Sequence, residues 1–173
     1  MNMLHLLRHA KSSTKGDVDD LRRPLSRRGR ETACLVGKHL PVWVDRLDLV
    51  LCSTALRTRE TLELVLTRLS PQPRSLIEDE LYLASCEGLA QRLRRLDVRE
   101  ANVLLIGHNP GLHELALALA DQSSAAYLAL ASSKFPTAAY ARFRVPANWS
   151  LLGHSRHELA AYVTPRSLPD WKE

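Results

Sequence analysis

The segment Met3–Ser13, MLHLLRHAKSS, ends an apolar run on an arginine and a histidine, Arg8 and His9. Burying either side chain without a partner is costly, so both are expected at an edge of the fold where an anion can meet them. A guanidinium group binds the oxygens of phosphate through two parallel hydrogen bonds, and an imidazole can carry a proton or attack an electrophile. The segment therefore predicts an anion site with an imidazole beside it.

The same pattern recurs at two other points of the chain. Asp48–Cys52, DLVLC, is followed by Ser53 and then Arg57, and Asn102–Gly107, NVLLIG, is followed by His108. Short apolar segments of this kind are typical of buried parallel strands. In open α/β sheets ligands bind outside the carboxyl ends of such strands. We therefore expect two arginines and two histidines to share one crevice, a combination suited to a tetrahedral dianion.

Strands and helices alternate along the chain. Further strands are predicted over RSLIED (74–79), AAYARFRV (138–145) and ELAAYV (158–163), with an alanine-rich loop before the last two. Helices are predicted after a Ser26 cap and over 54–70, 87–99 and 112–120, the second capped by Ser53 or Thr54. This alternation predicts an α/β three-layer sandwich with a mostly parallel central sheet flanked by helices. The length suits a single domain over residues 1–173.

The composition of the chain argues against nucleic-acid-binding, membrane-spanning and cysteine-metal proteins. The net charge of +5 favours anionic partners, while an aromatic content of 5% is low for stacking on nucleic acid, so no nucleic-acid partner is expected. No apolar stretch reaches the roughly 20 residues that span a bilayer, and the N-terminus does not resemble a signal peptide. The cysteines, Cys34, Cys52 and Cys86, have no metal-ligand spacing. A cytoplasmic protein with reduced thiols and no membrane partner is expected.

Four blocks, LLRHAKS, RPLSRRG, CSTALRTRET and LIGHNPG, together resemble the histidine phosphatase superfamily, and in particular its small, SixA-like branch of phosphohistidine phosphatases. The stretch KFPTAA, Lys134–Ala139, resembles the same branch, so that the likeness extends from Met3 to Ala139. The resemblance implies the phosphoglycerate mutase-like fold of this superfamily. Little chain remains between Arg57 and His108 for the helical cover that larger relatives insert there, so we expect little or no lid.

The resemblance also implies a mechanism. His9 would attack phosphorus and form a phosphohistidine that water then hydrolyses, while Arg8, Arg57 and His108 would stabilise the charge on the phosphoryl oxygens. The opposite ring nitrogen of His9 needs a fixed acceptor, such as a backbone carbonyl. No metal or other cofactor is expected, because positioning and electrostatics supply most of the catalysis in phosphoryl transfer.

The proton donor and the further phosphate contacts are separate assignments. We assign the proton donor to Glu80, in EDELYLAS after the third strand, with Glu87 as the alternative. Ser12 and Asn109 are expected to contact the phosphate.

An open site would admit a phosphorylated protein, for example a histidine-phosphotransfer domain, more readily than it would hold a small sugar phosphate. Two alternatives stay open: a phosphatase or mutase acting on small phosphate esters, and a phosphate- or phosphoprotein-binding module with little turnover. A cysteine-based phosphatase is disfavoured. Cys52 and Arg57 are one residue too close for its motif. Cys86 and Arg92 have the right spacing, but Glu87 stands next to Cys86 and would raise the pKa of its thiol.

Overall fold

Six strands form one central sheet in the computed structural model, which describes residues 1–173. They are β1 (Asn2–Arg8), β2 (Leu49–Ser53), β3 (Arg74–Glu78), β4 (Asn102–Gly107), β5 (Tyr140–Val145) and β6 (Leu159–Val163). Their spatial order is β3-β2-β4-β1-β5-β6. The first four in this order are parallel, and β5 runs antiparallel to both of its neighbours. The prediction of a mostly parallel sheet is confirmed.

Helices cover both faces of the sheet. They are α1 (Arg27–Trp43), α2 (Leu56–Leu66), α3 (Cys86–Arg94), α4 (Gly111–Leu119) and the short α5 (Tyr127–Ala131). Alternate residues of β4 enter different cores, since Val103 and Leu105 pack with α3 and α4 whereas Leu104 and Ile106 pack with α1 and α2. This alternation follows from the period of two in a strand, and it confirms the three-layer sandwich. None of the helices combines the length and the apolar composition that a membrane-spanning segment requires.

Two predictions about helix starts had different outcomes. The Ser26 hydroxyl caps α1 as expected, accepting a hydrogen bond from the amide of Gly29 at 3.0 Å. The expectation that Ser53 or Thr54 caps the second helix was wrong, because α2 begins at Leu56 after Ala55 with no side-chain cap. The Ser53 hydroxyl instead lies 2.7 Å from Nε2 of His108, which it supports from below the crevice surface, since Ser53 is fully buried.

Two other boundaries differ from the sequence prediction. Helix α3 ends at Arg94 instead of residue 99, and the side chain of Asp97 accepts the backbone N–H of Arg99 at 2.9 Å. Aspartate side chains offer the backbone such an alternative to helical hydrogen bonding, which ends the helix early. The alanine-rich segment expected to be a loop contains α5.

Two glycines allow helix N-termini to approach the upper rim of the sheet. A Cβ atom at Gly29 would lie 2.0 Å from the carbonyl oxygen of Lys11, and one at Gly111 would lie 2.0 Å from that of Ala84. No other residue fits there without movement of the backbone. The start of α1 is thereby held against the segment after His9, and the start of α4 against the segment after β3.

Candidate active site

A crevice of about 450 Å³ lies at the carboxyl ends of β1, β2 and β4. The structure brings together both arginines and both histidines expected there, since all four line this crevice. The full lining is Arg8, His9, Lys11, Ser12, Thr14, Asp20, Arg23, Arg57, Leu83, His108, Asn109 and Thr137. Four cationic side chains therefore face a single carboxylate, which gives the crevice a positive potential suited to an anion.

Strand register brings the two imidazoles together. Arg8 is the register partner of Gly107 in the parallel pair β1–β4, so His9 and His108 are the next residue on each chain. Their ring centroids lie 5.3 Å apart with the planes inclined at 55°. The two side chains thus face the same small volume without any loop having to close.

His9 is buried and neutral. Its Nδ1 lies 2.7 Å from the carbonyl oxygen of Ala10, and a carbonyl oxygen accepts hydrogen bonds, so Nδ1 carries the proton and Nε2 has a free lone pair. Only 7% of the residue is exposed. Burial lowers the pKa of His9 to about 3, and the nearby charges of His108, Arg57 and Arg8 lower it further against the opposing effect of the Ala10 contact. The acceptor expected for this ring is therefore a backbone carbonyl.

His108 is held by two partners. Its Nε2 lies 2.7 Å from the Ser53 hydroxyl, and its Nδ1 lies 3.4 Å from Nη2 of Arg57. A guanidinium group has no acceptor, so this contact requires the lone pair on Nδ1 and the proton on Nε2. Burial, and then Arg57, lower the pKa of His108 to about 4. The ring of Tyr82 packs edge-on against it, with centroids 5.5 Å apart.

The two arginines carry charge that the protein neutralises only in part. Arg8 donates from Nη1 to the carbonyl oxygen of Phe135 at 3.2 Å and has no carboxylate partner. Arg57, 2% exposed, donates from Nη1 to the backbone carbonyl of Asp20 at 2.7 Å and from Nη2 to the Asp20 carboxylate at 3.0 Å. The Nε atoms of both arginines are buried without a hydrogen-bond partner. Burial and the charge of Arg57 lower the pKa of Arg8, as expected for two cations that lack an anion between them.

Asp20 lines the crevice and is bound by Tyr82, although no pattern in the sequence indicated either residue. The Tyr82 hydroxyl donates to the Asp20 carboxylate, and Nε of Arg23 donates to the same carboxylate at 3.0 Å. The hydrogen bond from Tyr82, followed by those from Arg57 and Arg23, holds the pKa of Asp20 at about 2 despite the opposing effect of burial. Asp20 and Tyr82 lie 62 positions apart in loop segments, so no local pattern could have paired them.

The structure does not bring the expected proton donors into the crevice. Both carboxylate oxygens of Glu80 lie 2.8 Å from Nη2 of Arg95, on the surface of the molecule. Its neighbour Leu81 is 1% exposed and packs into the core, which turns Glu80 outward. Glu87 pairs with Arg94 at 3.1 Å. The assignment of the proton donor to Glu80 or Glu87 is therefore corrected, and Asp20 is the one carboxylate in the lining.

Ser12 and Asn109 both line the crevice, in different settings. The amide of Asn109 donates to the carbonyl oxygens of Lys134 and Phe135, each at 3.0 Å, and its own oxygen is buried without a partner. Phe135 also accepts from Arg8, so Asn109 positions the carbonyl that orients Arg8. The expected contact of Asn109 with phosphate stays a prediction. Ser12 forms an isolated backbone bridge with Leu25 beside the start of α1.

The cysteines are unsuited to nucleophilic chemistry. Cys52 is fully buried, and burial raises the pKa of its thiol to about 12. Burial, Glu114 and Glu87 raise the pKa of Cys86, and Arg92 is bound through two nitrogens to Glu78 at 2.7 and 2.8 Å. The thiolate is the reactive form of cysteine, so a raised pKa makes both thiols poor nucleophiles.

Comparison with known proteins agrees with this geometry. Residues 4–114 match the family model of the histidine phosphatase superfamily (branch 1). An uncharacterised protein of Mycobacterium tuberculosis is 34% identical over 162 residues, which cover 92% of this chain and 100% of the relative. A candidate phosphohistidine phosphatase SixA from Nakamurella multipartitia has a similar structure, with a TM-score of 0.80 and 27% identity over 95% of this chain and 96% of its own. The corresponding candidate from Agrobacterium tumefaciens has a TM-score of 0.79 and 26% identity over 95% and 98% of the two chains. With its fold, its four-residue cluster and these relatives in agreement, the chain belongs to the histidine phosphatase superfamily.

Proposed function

We propose that the protein is a metal-independent phosphatase that forms a covalent phosphohistidine on His9 and removes phosphate from phosphohistidine in other proteins. The proposal is supported by a neutral, buried imidazole that lies beside two guanidinium groups, of which only Arg57 is paired with a carboxylate. A nucleophilic imidazole must be unprotonated to attack, and a phosphoryl group needs positive charge around its oxygens.

The reaction has two steps in which atoms and charges balance. In the first, Nε2 of His9 attacks phosphorus, a new N–P bond forms, and the P–N bond of the substrate breaks. The leaving imidazole keeps the electron pair of that bond and takes a proton from solvent. In the second, water attacks phosphorus, the bond to His9 breaks, and inorganic phosphate leaves. Throughout both steps the Nδ1–H of His9 remains on the Ala10 carbonyl, which fixes the direction of Nε2.

Charge stabilisation is assigned to Arg8 and Arg57. Arg57 is the more strongly positioned of the two, since its side chain is 3% exposed and its two terminal nitrogens are held by Asp20. A phosphoryl dianion that enters the crevice would compete with the Asp20 carboxylate for Nη2. His108 contacts the same guanidinium through Nδ1 and keeps it on the side of His9.

The choice of substrate depends on one observation, the protonation state of the carboxylate in the crevice. Asp20 has a pKa of about 2, so it is ionised near neutral pH and cannot protonate a departing group. The alkoxide of an alkyl phosphate ester needs such a proton in the transition state, because its conjugate acid is very weak. An imidazole leaving group is far less basic than an alkoxide. A site with this charge pattern is therefore better suited to a phosphoramidate than to an alkyl ester.

The openness of the crevice also supports a protein substrate. The chain has no lid, and the SixA proteins of similar structure are described as candidate phosphohistidine phosphatases. A histidine-phosphotransfer domain presents its phosphoryl group on an exposed imidazole, which an open crevice can reach.

The test is a comparison of substrates in the presence of a chelator. A protein labelled with ³²P on histidine, phosphoserine peptide and p-nitrophenyl phosphate are incubated with the enzyme and quenched in alkali. We expect an alkali-stable, acid-labile label on the wild type, no label on His9→Ala, and a kcat/KM for phosphohistidine at least about a hundredfold above that for phosphoserine.

Other outcomes would select the alternatives. Faster turnover of small phosphate esters, or transfer of the label between two positions of one small molecule, would indicate an esterase or a mutase. Tight phosphate binding without turnover of any substrate would indicate a binding module. Loss of turnover on addition of the chelator would contradict the metal-independent mechanism.

A further inference from the structure

A second cavity joins the catalytic crevice along one side. It measures about 430 Å³ and shares Lys11 and Thr137 with the crevice wall. We call it the basic groove and define it by six lining residues, Lys11, Arg28, Thr137, Thr164, Arg166 and Trp171. We propose that the basic groove binds acidic side chains that flank the phosphorylated residue of the protein substrate. This proposal rests on the proposed function for the identity of its occupant.

The charge of the basic groove is not neutralised by the protein. Its lining contains three cations and no carboxylate. Lys11, Arg28 and Arg166 take part in no ion pair, whereas other arginines at the start of α1 do. Examples are Arg27 with Glu31 at 3.1 Å and Arg30 with Glu60 at 2.5 Å. Three unpaired cations around one cavity repel each other, and an anion placed between them would remove that cost.

The position of Arg28 argues against a purely structural role. It lies in the first turn of α1, a turn that contains no acidic residue. The partial positive charge at a helix N-terminus disfavours cations there and favours anions. A cation at this place lowers the stability of the isolated helix. An anion bound beside it would interact favourably both with the Arg28 side chain and with the helix N-terminus.

Trp171 lines the basic groove and carries an indole N–H without an acceptor. The guanidinium carbon of Arg28 lies 5.5 Å from the centroid of its ring, which orients the arginine side chain over the indole. Nε1 of Trp171 is buried and has no hydrogen-bond partner. A buried N–H without an acceptor is uncommon and costs free energy, and a carboxylate oxygen would satisfy it.

The extent of the cavities favours a polypeptide over a small anion. Beyond Arg28 and Trp171 a further cavity of about 410 Å³ continues the groove. Its charged lining is mixed, since Arg68 and Lys172 lie there with Glu31 and with a Lys38–Asp170 ion pair. An extended chain advances about 3.4 Å per residue and presents alternate side chains to one face, so alternate residues of a bound segment would face successive cavities. The phosphoryl group would occupy the crevice, and acidic residues a few positions away would occupy the basic groove.

Steady-state kinetics with two matched peptides test the proposal. Both carry one phosphohistidine and a fluorescein label; one has glutamates on either side of the phosphohistidine, and the other has glutamines at the same positions. The variants are Arg28→Ala, Arg166→Ala and the double variant. The control is Arg99→Ala, which removes an exposed arginine that pairs with Asp97 and lies outside the groove.

We expect the KM for the glutamate peptide to rise about threefold in each single variant and about tenfold in the double variant, with kcat unchanged. The KM for the glutamine peptide and for p-nitrophenyl phosphate should stay within about twofold in all variants, and added salt should weaken the preference for glutamate. Arg99→Ala should match the wild type. Equal KM values for the two peptides on the wild type, or an equal loss for both in the double variant, would overturn the proposal.

Binding of the unphosphorylated glutamate peptide, followed by fluorescence anisotropy, separates this proposal from the proposed function. Absence of turnover for both peptides would contradict the proposed function. In that case the proposal for the basic groove would still be supported if the wild type binds the glutamate peptide and the double variant does not. Equal binding of both unphosphorylated peptides would count against it.

Discussion

Nδ1 of His9 lies 2.7 Å from the carbonyl oxygen of its own neighbour, Ala10, so the backbone and not a second side chain sets the tautomer of this imidazole. Triads that orient a histidine with a carboxylate also raise its basicity, because the negative charge stabilises the imidazolium. A neutral carbonyl orients the ring with far less of that effect. His9 is thereby kept both directed and unprotonated.

The first prediction concerns the protonation of His9. Because burial holds its pKa at about 3, the ring stays neutral well below the pH at which an ordinary histidine charges. We expect the ring protons of His9 to show no titration between about pH 5 and 8 in NMR spectra, with assignment by comparison with His9→Gln. A midpoint near the ordinary value of 6.5 would contradict the burial argument.

The second prediction concerns stability against acid. His5 is 2% exposed, contacts the Tyr140 hydroxyl at 2.7 Å through Nδ1, and has a pKa of about 3, since burial and then Arg142 lower it from 6.5. Its folded pKa lies below the unfolded value, so the unfolded chain binds more protons and stability falls as the pH drops below 6.5 toward 3. One such histidine removes roughly 2 kcal/mol between about pH 7 and 5.

Denaturant unfolding of the wild type and of His5→Gln at both pH values measures this contribution. We expect the variant to lose less stability between the two pH values, whatever its stability at pH 7. Parallel pH dependences for the two proteins would show that His5 does not contribute. His5 lies within β1, so its substitution separates acid stability from the chemistry of the crevice.

The third prediction concerns the guanidinium fork of Arg57. Removal of one such charge from a phosphoryl site costs about 10²–10³ in rate, so Arg57→Ala should lower kcat/KM for phosphohistidine by that factor. Arg57→Lys keeps the charge and loses the two-pronged geometry, so it should recover less than roughly a tenth of the wild-type value. Arg92→Lys, at a half-buried ion pair outside the crevice, serves as the control and should leave kcat/KM within about twofold. Equal effects of Arg57→Lys and Arg92→Lys would indicate a purely structural role for Arg57.

The fourth prediction concerns the Asp20 carboxylate. It occupies Nη2 of Arg57 and repels a dianion, so Asp20→Asn should lower the inhibition constant of inorganic phosphate about three- to tenfold. Glu80→Gln should change neither inhibition nor turnover, because Glu80 is bound to Arg95 on the surface. If Asp20→Asn instead abolishes turnover of phosphoserine and spares phosphohistidine, Asp20 donates a proton and our assignment is incorrect.

The fifth prediction concerns the glycine contacts of the rim. A methyl group at Gly29 would collide with the Lys11 carbonyl, so Gly29→Ala should destabilise the fold by about 1–3 kcal/mol and displace the segment after His9. Gly88→Ala in α3 is the matched control, since its nearest contact is a side-chain atom, the Ser85 hydroxyl at 3.3 Å, and not a backbone carbonyl at 2.0 Å. Its effect should stay within about 1 kcal/mol. Thermal unfolding of both variants, together with their kcat/KM, provides the comparison; equal stability for Gly29→Ala and the wild type would contradict the close contact.

The sequence was a good guide wherever a residue follows directly from a buried strand. Arg8, His9 and His108 stand at the carboxyl ends of apolar strands. Because these strands are parallel, their carboxyl ends meet at the same edge of the sheet, which places the three side chains together. The carboxylates were harder to place. Glu80 comes two residues after β3, close to the position that His9 has after β1, yet a short turn of 3₁₀ helix that buries Leu81 directs it to the surface.

The contacts of Asp20 and Tyr82 depend on how loops fold over the crevice, and that of Ser53 depends on the pairing of β2 with β4. Each of these residues satisfies a partner that is distant in sequence: Asp20 binds Arg57, Tyr82 binds Asp20, and Ser53 binds His108. Local propensity favoured Ser53 as a helix cap, and the buried imidazole of His108 competed successfully for the same hydroxyl. Tertiary packing decides between such hydrogen-bond partners, and a single amino-acid sequence does not reveal it.

The spacing of the two imidazoles comes from the hydrogen-bond ladder between β1 and β4, whose strands lie about 4.8 Å apart as in any sheet. The catalytic geometry is thus a by-product of ordinary strand pairing, and it persists for as long as that ladder does. On heating, competence for phosphoryl transfer and the amide protection of these two strands should vanish at one temperature, with no inactive but folded species between them.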